Sequence, residues 1–178
     1  QFVESEELKA KLEEDFAKFS KMEIALERKM KELLPSHPWS KWLLSIRGVG
    51  TGIASSIIGE LDGAIYGSIE KGKKVTKSDL KGYGRHFEST ANLWSYAGWG
   101  VKDGQAVRMK TGEKANWNKY LKLTCFKFAE SMIKSKSEYK KLYDLRKEYE
   151  RTNHPDFSKM YLHRRAMRYI IKKFLSNI

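Results

Sequence analysis

Residues 42–61 read WLLSIRGVGTGIASSIIGEL, and this stretch decides the fold that we expect. Apolar residues recur at helical spacing on both sides of a Gly-Val-Gly triplet at positions 48–50. The pattern predicts two short helices, residues 39–46 and 51–61, joined by a glycine turn. We refer to residues 46–50 as the Gly48 turn.

The Gly48 turn has the features of a phosphate site made by the backbone. Gly48 suits a left-handed conformation that ends the first helix. Val49 is expected to pack in the core, and Gly50 lets a phosphate approach the main chain. The amides that open the second helix lack partners within it, and the helix dipole is positive there, so an anion is favoured. The predicted DNA contacts in this region are Arg47, Gly48, Val49, Gly50, Thr51 and Gly52.

Such a site contacts the sugar-phosphate backbone rather than base edges, so it predicts binding of duplex DNA with little sequence preference. Phosphate recognition alone leaves RNA open as a partner. A purely structural helix hairpin is a further interpretation. A dinucleotide-binding fold is disfavoured, because no strand precedes the glycines and their spacing differs from that fingerprint.

The charge of the chain favours a polyanionic partner. Its 178 residues include 35 Lys and Arg against 22 Asp and Glu, a formal net charge of +13. Residues 1–34 carry seven basic and nine acidic residues, whereas residues 35–178 carry 28 and 13, for a net charge of +15. This asymmetry separates an acidic arm from a basic body that is expected to attract nucleic acid. A basic protein without such a partner is the alternative.

Residues 5–34 contain no Gly or Pro and predict one long amphipathic helix, with Ser5 as its cap. We therefore divide the chain into an arm, residues 1–36, and a basic helix-hairpin-helix body, residues 37–178. The arm either packs on its own body or pairs with a second chain as a coiled coil. We favour a homo-oligomer formed through it. Its apolar stripe consists of Leu8, Leu12, Phe16, Phe19, Met22, Leu26, Met30 and Leu33.

A second basic segment lies at residues 98–122. Asp103-Gly104 predicts a small β-hairpin, and Asn116 is expected to cap the helix that follows. Trp99 and Trp117 fit either the core or stacking on bases. A basic hairpin followed by a helix is suited to a DNA groove. Its predicted contacts are Lys102, Arg108, Lys110, Lys114 and Lys119.

The remaining pattern predicts an all-α protein. Residues 62–76 are expected to form a loop rich in Gly and Lys. The helical segments expected after it are 78–82, 88–96, 117–133, 137–152 and 158–177.

Catalytic and metal-binding patterns are weak. Cys125 is the only cysteine, which fits a cytoplasmic protein without an internal disulfide. The four histidines lack zinc spacing, and the loop carboxylates do not suggest a nuclease cluster. We therefore predict no catalytic residue, metal or cofactor. No signal peptide or membrane span is expected, and association with the nucleoid fits the basic composition.

The order of these segments resembles a known family. A long helix, the glycine turn, LWSYAGWG at 93–100 and GEKANWNKYLK at 112–122 resemble the C-terminal half of bridge-RNA-guided insertion-sequence transposases. The resemblance implies a helix-hairpin-helix transposase domain that follows a coiled coil, with DNA recombination as the activity and a mobile element or virus as the origin. That family also has an N-terminal RuvC-like domain, which is absent here.

The family places a nucleophilic serine in the basic loop, but residues 101–114 contain no serine, and Thr111 is their only hydroxyl residue. The expectation is therefore DNA binding and self-association without cleavage. The alternative is a transposase or recombinase of which this chain is the C-terminal part. The first residue, Gln, fits either a fragment or a processed standalone protein.

Overall fold

The computed structural model describes residues 2–61, 64–65, 85–87, 89–102, 104–109 and 111–178. Within them the fold is mostly helical, as the sequence predicts. A 3-10 turn, Leu34–Ser36, follows the first helix. The helices are α1 (Phe2–Leu33), α2 (Ser40–Ser45), α3 (Thr51–Leu61), α4 (Thr90–Tyr96), α5 (Lys119–Lys134), α6 (Glu138–Asn153) and α7 (Lys159–Asn177); the strands are β1 (Ala64–Ile65), β2 (Arg85–His86), β3 (Val101–Lys102) and β4 (Gln105–Ala106).

The arm forms α1, which begins at Phe2, so the prediction that Ser5 caps it is wrong. Its 32 residues span about 48 Å at the usual helical rise. Most of its apolar stripe lies in solvent; Phe16, for example, is 76% exposed. Among the described residues, α1 contacts the body at α3 and at the 3-10 turn that follows it, and Met30 is half-buried there.

Helices α3 and α5 pack antiparallel. The start of α3 lies beside the end of α5. Ser131 Oγ, in the last turns of α5, donates to Gly48 O at 2.6 Å, just before α3 begins. At the other end, Asn118 Nδ2 donates to Glu60 Oε2 at 2.5 Å. Burial of apolar side chains between these helices supplies the main stabilisation of this layer.

The core continues from α5 to α7 and α2 through aromatic rings. Phe128 stacks on Phe174 at 3.9 Å between ring centroids, and Trp42 stacks on the same Phe174 ring at 5.9 Å. Offset stacking of this kind adds to the burial of the rings. Cys125 is fully buried beside this core, and burial raises the pKa of its thiol to about 12.

Helices α6 and α7 form an antiparallel hairpin around a buried carboxylate. Glu150 is fully buried. Arg165 Nε donates to its Oε2 at 2.6 Å, and Arg146 Nη2 lies 2.5 Å from its Oε1. Burial alone would raise the pKa of Glu150, but the two guanidinium groups outweigh it and lower the pKa. A buried carboxylate is tolerated here because two cations compensate it.

The predicted hairpin is confirmed by β3 and β4, which pair antiparallel with Val101 opposite Ala106 and Lys102 opposite Gln105; Asp103 itself lies outside the described residues. The loop predicted over 62–76 is wrong at Ala64–Ile65, because this segment pairs in parallel with β2. The helix predicted at 78–82 lies outside the described residues.

The other helices lie close to their predicted positions, but one cap differs. Asn118, not Asn116, caps α5, since its Oδ1 accepts a hydrogen bond from Leu121 N at 3.0 Å. Asn118 N also donates to Tyr96 O at 2.7 Å. The tertiary contact with α4 therefore selects the second asparagine of the Asn-Trp-Asn sequence.

Candidate nucleic-acid interface

The Gly48 turn is a tight bend between α2 and α3. Val49 N donates to Ile46 O at 2.9 Å, and Gly48 has φ +97°, as the third residue of a type II turn requires. Val49 is 6% exposed. The conformation predicted for Gly48 and the burial predicted for Val49 are confirmed.

Two serines of α5 and its cap attach this turn to the body. Ser131 Oγ donates to Gly48 O, and Ser135 Oγ donates to Arg47 O at 3.1 Å. A Cβ on Gly48 would lie 2.3 Å from Ser135 Oγ. The inner side of the turn is therefore filled, and its carbonyls face the protein.

The start of α3 is open to solvent. Gly50 O accepts the first helical bond, from Ala54 N at 3.0 Å, so the amides of Thr51 and Gly52 belong to the first turn and have no acceptor within the helix. Gly50 and Gly52 are exposed, and a Cβ on either would meet no atom within 4 Å. An anion can therefore approach these amides.

Exposed cations lie in the Gly48 turn and beside the serine that holds it. The Arg47 side chain is exposed in the turn. Lys134 and Lys136, also exposed, flank the Ser135 residue that binds Arg47 O. No sequence pattern predicts these two lysines near the turn, because their position depends on how the end of α5 meets a turn more than 80 residues earlier.

A second glycine turn, residues 97–100, ends α4; we call it the Gly98 turn. Gly98 N donates to Ser95 O at 3.0 Å and Trp99 N to Trp94 O at 2.7 Å. With Gly98 at φ +72°, these bonds form a Schellman cap. A Cβ on Gly98 would lie 2.7 Å from Trp117 Cδ1 and 2.8 Å from Lys122 Cδ, so only glycine permits this packing.

Helix α7 attaches to the other side of the Gly98 turn. Arg168 Nη2 donates to Trp99 O at 2.9 Å and also to Gly100 O. Trp94 Nε1 donates to Lys172 O at 3.2 Å. The β-hairpin begins directly after Gly100, so α7 fixes the base of that hairpin.

The predicted basic contacts of the hairpin region lie on the surface. Lys102 is in β3, Lys119 begins α5, and Arg108 and Lys114 lie in the segment between the hairpin and α5; all four are exposed. Lys110 lies outside the described residues. Trp99 and Trp117 are half-buried, and Trp99 packs against the core.

The predicted contacts therefore form two groups at opposite ends of α5. The Gly48 turn meets Ser131 and Ser135, while the Gly98 turn meets Trp117 and Lys122. At 1.5 Å per residue these ends are about 20 Å apart. One duplex would span that distance with about six base pairs.

Other chemistry finds little support in the described part of the chain. It contains no group of three or more His, Cys, Asp or Glu residues placed to bind a metal ion. None of its helices combines the length and hydropathy needed to cross a membrane. Comparisons with protein-family models, with curated proteins and with solved structures gave no match for this chain.

Proposed function

We propose that this chain binds the backbone of duplex DNA through a helix-hairpin-helix motif formed by α2, the Gly48 turn and α3. The open amides at the start of α3 contact one phosphate, with Arg47 beside them. The basic hairpin contacts a second backbone position through Lys102, Arg108, Lys110, Lys114 and Lys119. In this proposal the chain is related to transposases and holds DNA without cutting it.

One observation carries the proposal: the helix start at Gly50 is open on a body of net charge +15. Unpaired amides at a helix N-terminus attract anions, and a strongly basic surface raises the local concentration of a polyanion. The second basic group, about 20 Å away along α5, gives a duplex a further contact that a small anion would not use.

A single substitution tests the helix start without disturbing the fold. Gly50→Asp places a carboxylate at the cap position of α3, where Asp is better than Gly by only about a few tenths of a kcal/mol, so the helix should keep its stability. The same carboxylate occupies the anion position, so we expect duplex affinity to fall at least about tenfold. Gly50→Ser is the matched control, because it caps the helix without charge.

The measurement is a fluorescence-anisotropy titration of a short duplex at several salt concentrations. Six basic contacts predict a slope of log K against log salt of about −5 for the wild type. Equal affinity of the Asp and Ser variants would reject the helix start as a phosphate site. Absence of wild-type binding at low salt would reject DNA binding altogether. An RNA duplex in parallel decides between the two nucleic acids.

We also propose that α1 pairs with α1 of a second copy. Its apolar side chains, such as Leu12, Phe16 and Phe19, are 61–76% exposed, and burial of such side chains is the usual source of helix pairing. Sedimentation velocity of the wild type should show a dimer or larger species. A Phe16→Ser, Phe19→Ser variant should sediment as a monomer with an unchanged melting temperature of the body. A monomeric wild type at high protein concentration would contradict this proposal.

A further inference from the structure

Three cations and three tryptophan rings lie together around the Gly98 turn. Lys122 Nζ lies 4.5 Å from the centroid of the Trp117 ring and 5.9 Å from that of Trp99. Arg168 Cζ lies 5.9 Å from the Trp99 centroid. Lys172 Nζ lies 4.3 Å from the centroid of Trp94. The cluster joins four parts of the chain, namely α4, the Gly98 turn, the start of α5 and α7.

This cluster carries positive charge that no described carboxylate balances. Lys122, Arg168 and Lys172 form no ion pair within the described residues, in contrast to Arg165 one turn earlier on α7, which binds Glu150. The pKa values of Lys122 and Lys172 are lowered, first by burial and then by the positive charge of Arg168. Burial, followed by the charge of Arg165, also lowers the pKa of Arg168.

A hydrogen-bond donor beside these cations is unused. The indole Nε1 of Trp99 is buried and has no hydrogen-bond partner among the described residues. A buried donor without an acceptor is costly and uncommon in folded proteins. Half-buried cations without a counter-ion and an unused N–H group together favour an oxyanion as the missing partner.

We propose that Lys122, Arg168 and Lys172, gathered around the Gly98 turn, bind a phosphodiester group of a DNA strand. This inference rests on the proposed function and refines it: the second backbone contact centres on this half-buried cluster, and the exposed lysines of the hairpin act around it. Arg168 binds Trp99 O and Gly100 O as well, so the phosphate and the base of the hairpin share one guanidinium group.

The ligand is a strand rather than free phosphate because the neighbouring surface continues the contact. Lys102 and Lys119, both exposed, lie on the hairpin that leaves the cluster and on the helix that carries Lys122. A polyanion contacts several such cations at once, whereas an isolated phosphate contacts only the cluster. Trp117 gives the site an aromatic surface, and its half-exposed ring suits contact with a sugar or base.

The test uses the indole N–H resonances of the five tryptophans in a proton–nitrogen NMR spectrum of the full chain. Titration with a short duplex should shift the indole resonances of Trp99, Trp117 and Trp94, whose rings contact the three cations. Trp42 lies in α2, just before the Gly48 turn, so its resonance reports separately on the first backbone contact. Single-stranded DNA of the same sequence and inorganic phosphate alone are the parallel titrations. Shifts with duplex or with single-stranded DNA support the site, and their relative size shows which of the two it prefers. Equal shifts with inorganic phosphate alone would overturn it as a strand site.

Variants give an independent measurement. Lys122→Met should weaken duplex affinity about tenfold, and Lys122→Arg should largely restore it. Lys127→Met, which removes an exposed charge from the same helix, should change affinity by about twofold or less. If wild-type protein binds duplex but Lys122→Met and Lys127→Met bind alike and Trp99 does not shift, this site is wrong while the proposed function stands. If wild-type protein does not bind duplex, the proposed function fails first.

Discussion

The Gly48 and Gly98 turns have similar backbone conformations but are held in place by different side chains. Each ends a short helix with a glycine at positive φ, and each packs against one end of α5. Neutral serine hydroxyls hold the Gly48 turn, and the adjacent α3 leaves backbone amides open. Tryptophan, lysine and arginine side chains hold the Gly98 turn. The first turn therefore presents its charge through the main chain and the second through side chains, so different substitutions should disable each.

The largest expected effect comes from filling either turn. In Gly48→Ala the new Cβ meets Ser135 Oγ at 2.3 Å in a backbone conformation that alanine rarely adopts, so we expect a loss of about 4 kcal/mol in the free energy of unfolding. Gly98→Ala should cost about 3 kcal/mol for the same reasons. Gly50→Ala has open space and should cost less than about 1 kcal/mol, because alanine is only a poorer cap residue than glycine. Urea denaturation measures all three, and a costly Gly50→Ala would contradict the geometry of the first turn.

Removing the buried carboxylate should affect the Gly98 turn more than the Gly48 turn. Glu150→Gln leaves Arg146 and Arg165 without their counter-ion and should cost about 3 kcal/mol. Because the folded pKa of Glu150 lies below its ordinary value of 4.5, its contribution is present above that pH and is lost as pH falls through the folded pKa. Melting temperatures measured between about pH 6 and about pH 3 should therefore fall less steeply in the variant. An unchanged pH profile would show that Glu150 is not ionised in the folded protein.

The serine contacts predict a smaller change confined to the Gly48 turn. Ser131→Ala removes the hydrogen bond to Gly48 O and should cost about 1 kcal/mol. Hydrogen exchange of the Val49 and Ala54 amides should become faster, whereas exchange of the Trp99 amide should not change. Ser176→Ala is a suitable control, because its hydroxyl bonds only within α7. Equal acceleration at both turns would show that they are not independent.

The smallest effects belong to the exposed cations of the hairpin. Each of Lys102→Gln, Arg108→Gln and Lys114→Gln should leave the melting temperature unchanged and reduce the salt slope of duplex binding by about one. Lys31→Gln on the arm is the control with the same charge change. If the salt slope of duplex binding is the same in all four variants, the duplex binds to another surface of the protein.

Local signals account for what the sequence predicted correctly. The bounds of α3, the left-handed Gly48 and the hairpin at Asp103-Gly104 each depend on a few neighbouring residues. The cluster around Trp99 was missed, since Arg168 reaches Trp99 O across 69 positions of sequence. No periodicity or motif reports such a contact. The wrong cap at Asn116 has the same origin, because a tertiary bond to Tyr96 selects Asn118.

The same limit applies to the candidate site as a whole. Composition and charge predicted a basic surface, and Arg47 and Lys102 are exposed as expected. The separation of the contacts into two groups follows only from the antiparallel packing of α3 on α5. A linear pattern of lysines contains no information about which end of a helix each one will face.

The ion cluster at Glu150 has a further consequence for the rotation of α7 about its own axis. Arg165 and Arg168 are three residues apart, so their side chains leave the helix about 60° apart. The bond from Arg165 to Glu150 fixes that rotation on one side, and the stack of Phe174 on Phe128 fixes it on the other. Arg168 is then directed at Trp99 O with little rotational freedom. The Glu150 carboxylate thus sets the rotation of α7. Through that rotation it determines the direction from which Arg168 supports the base of the hairpin.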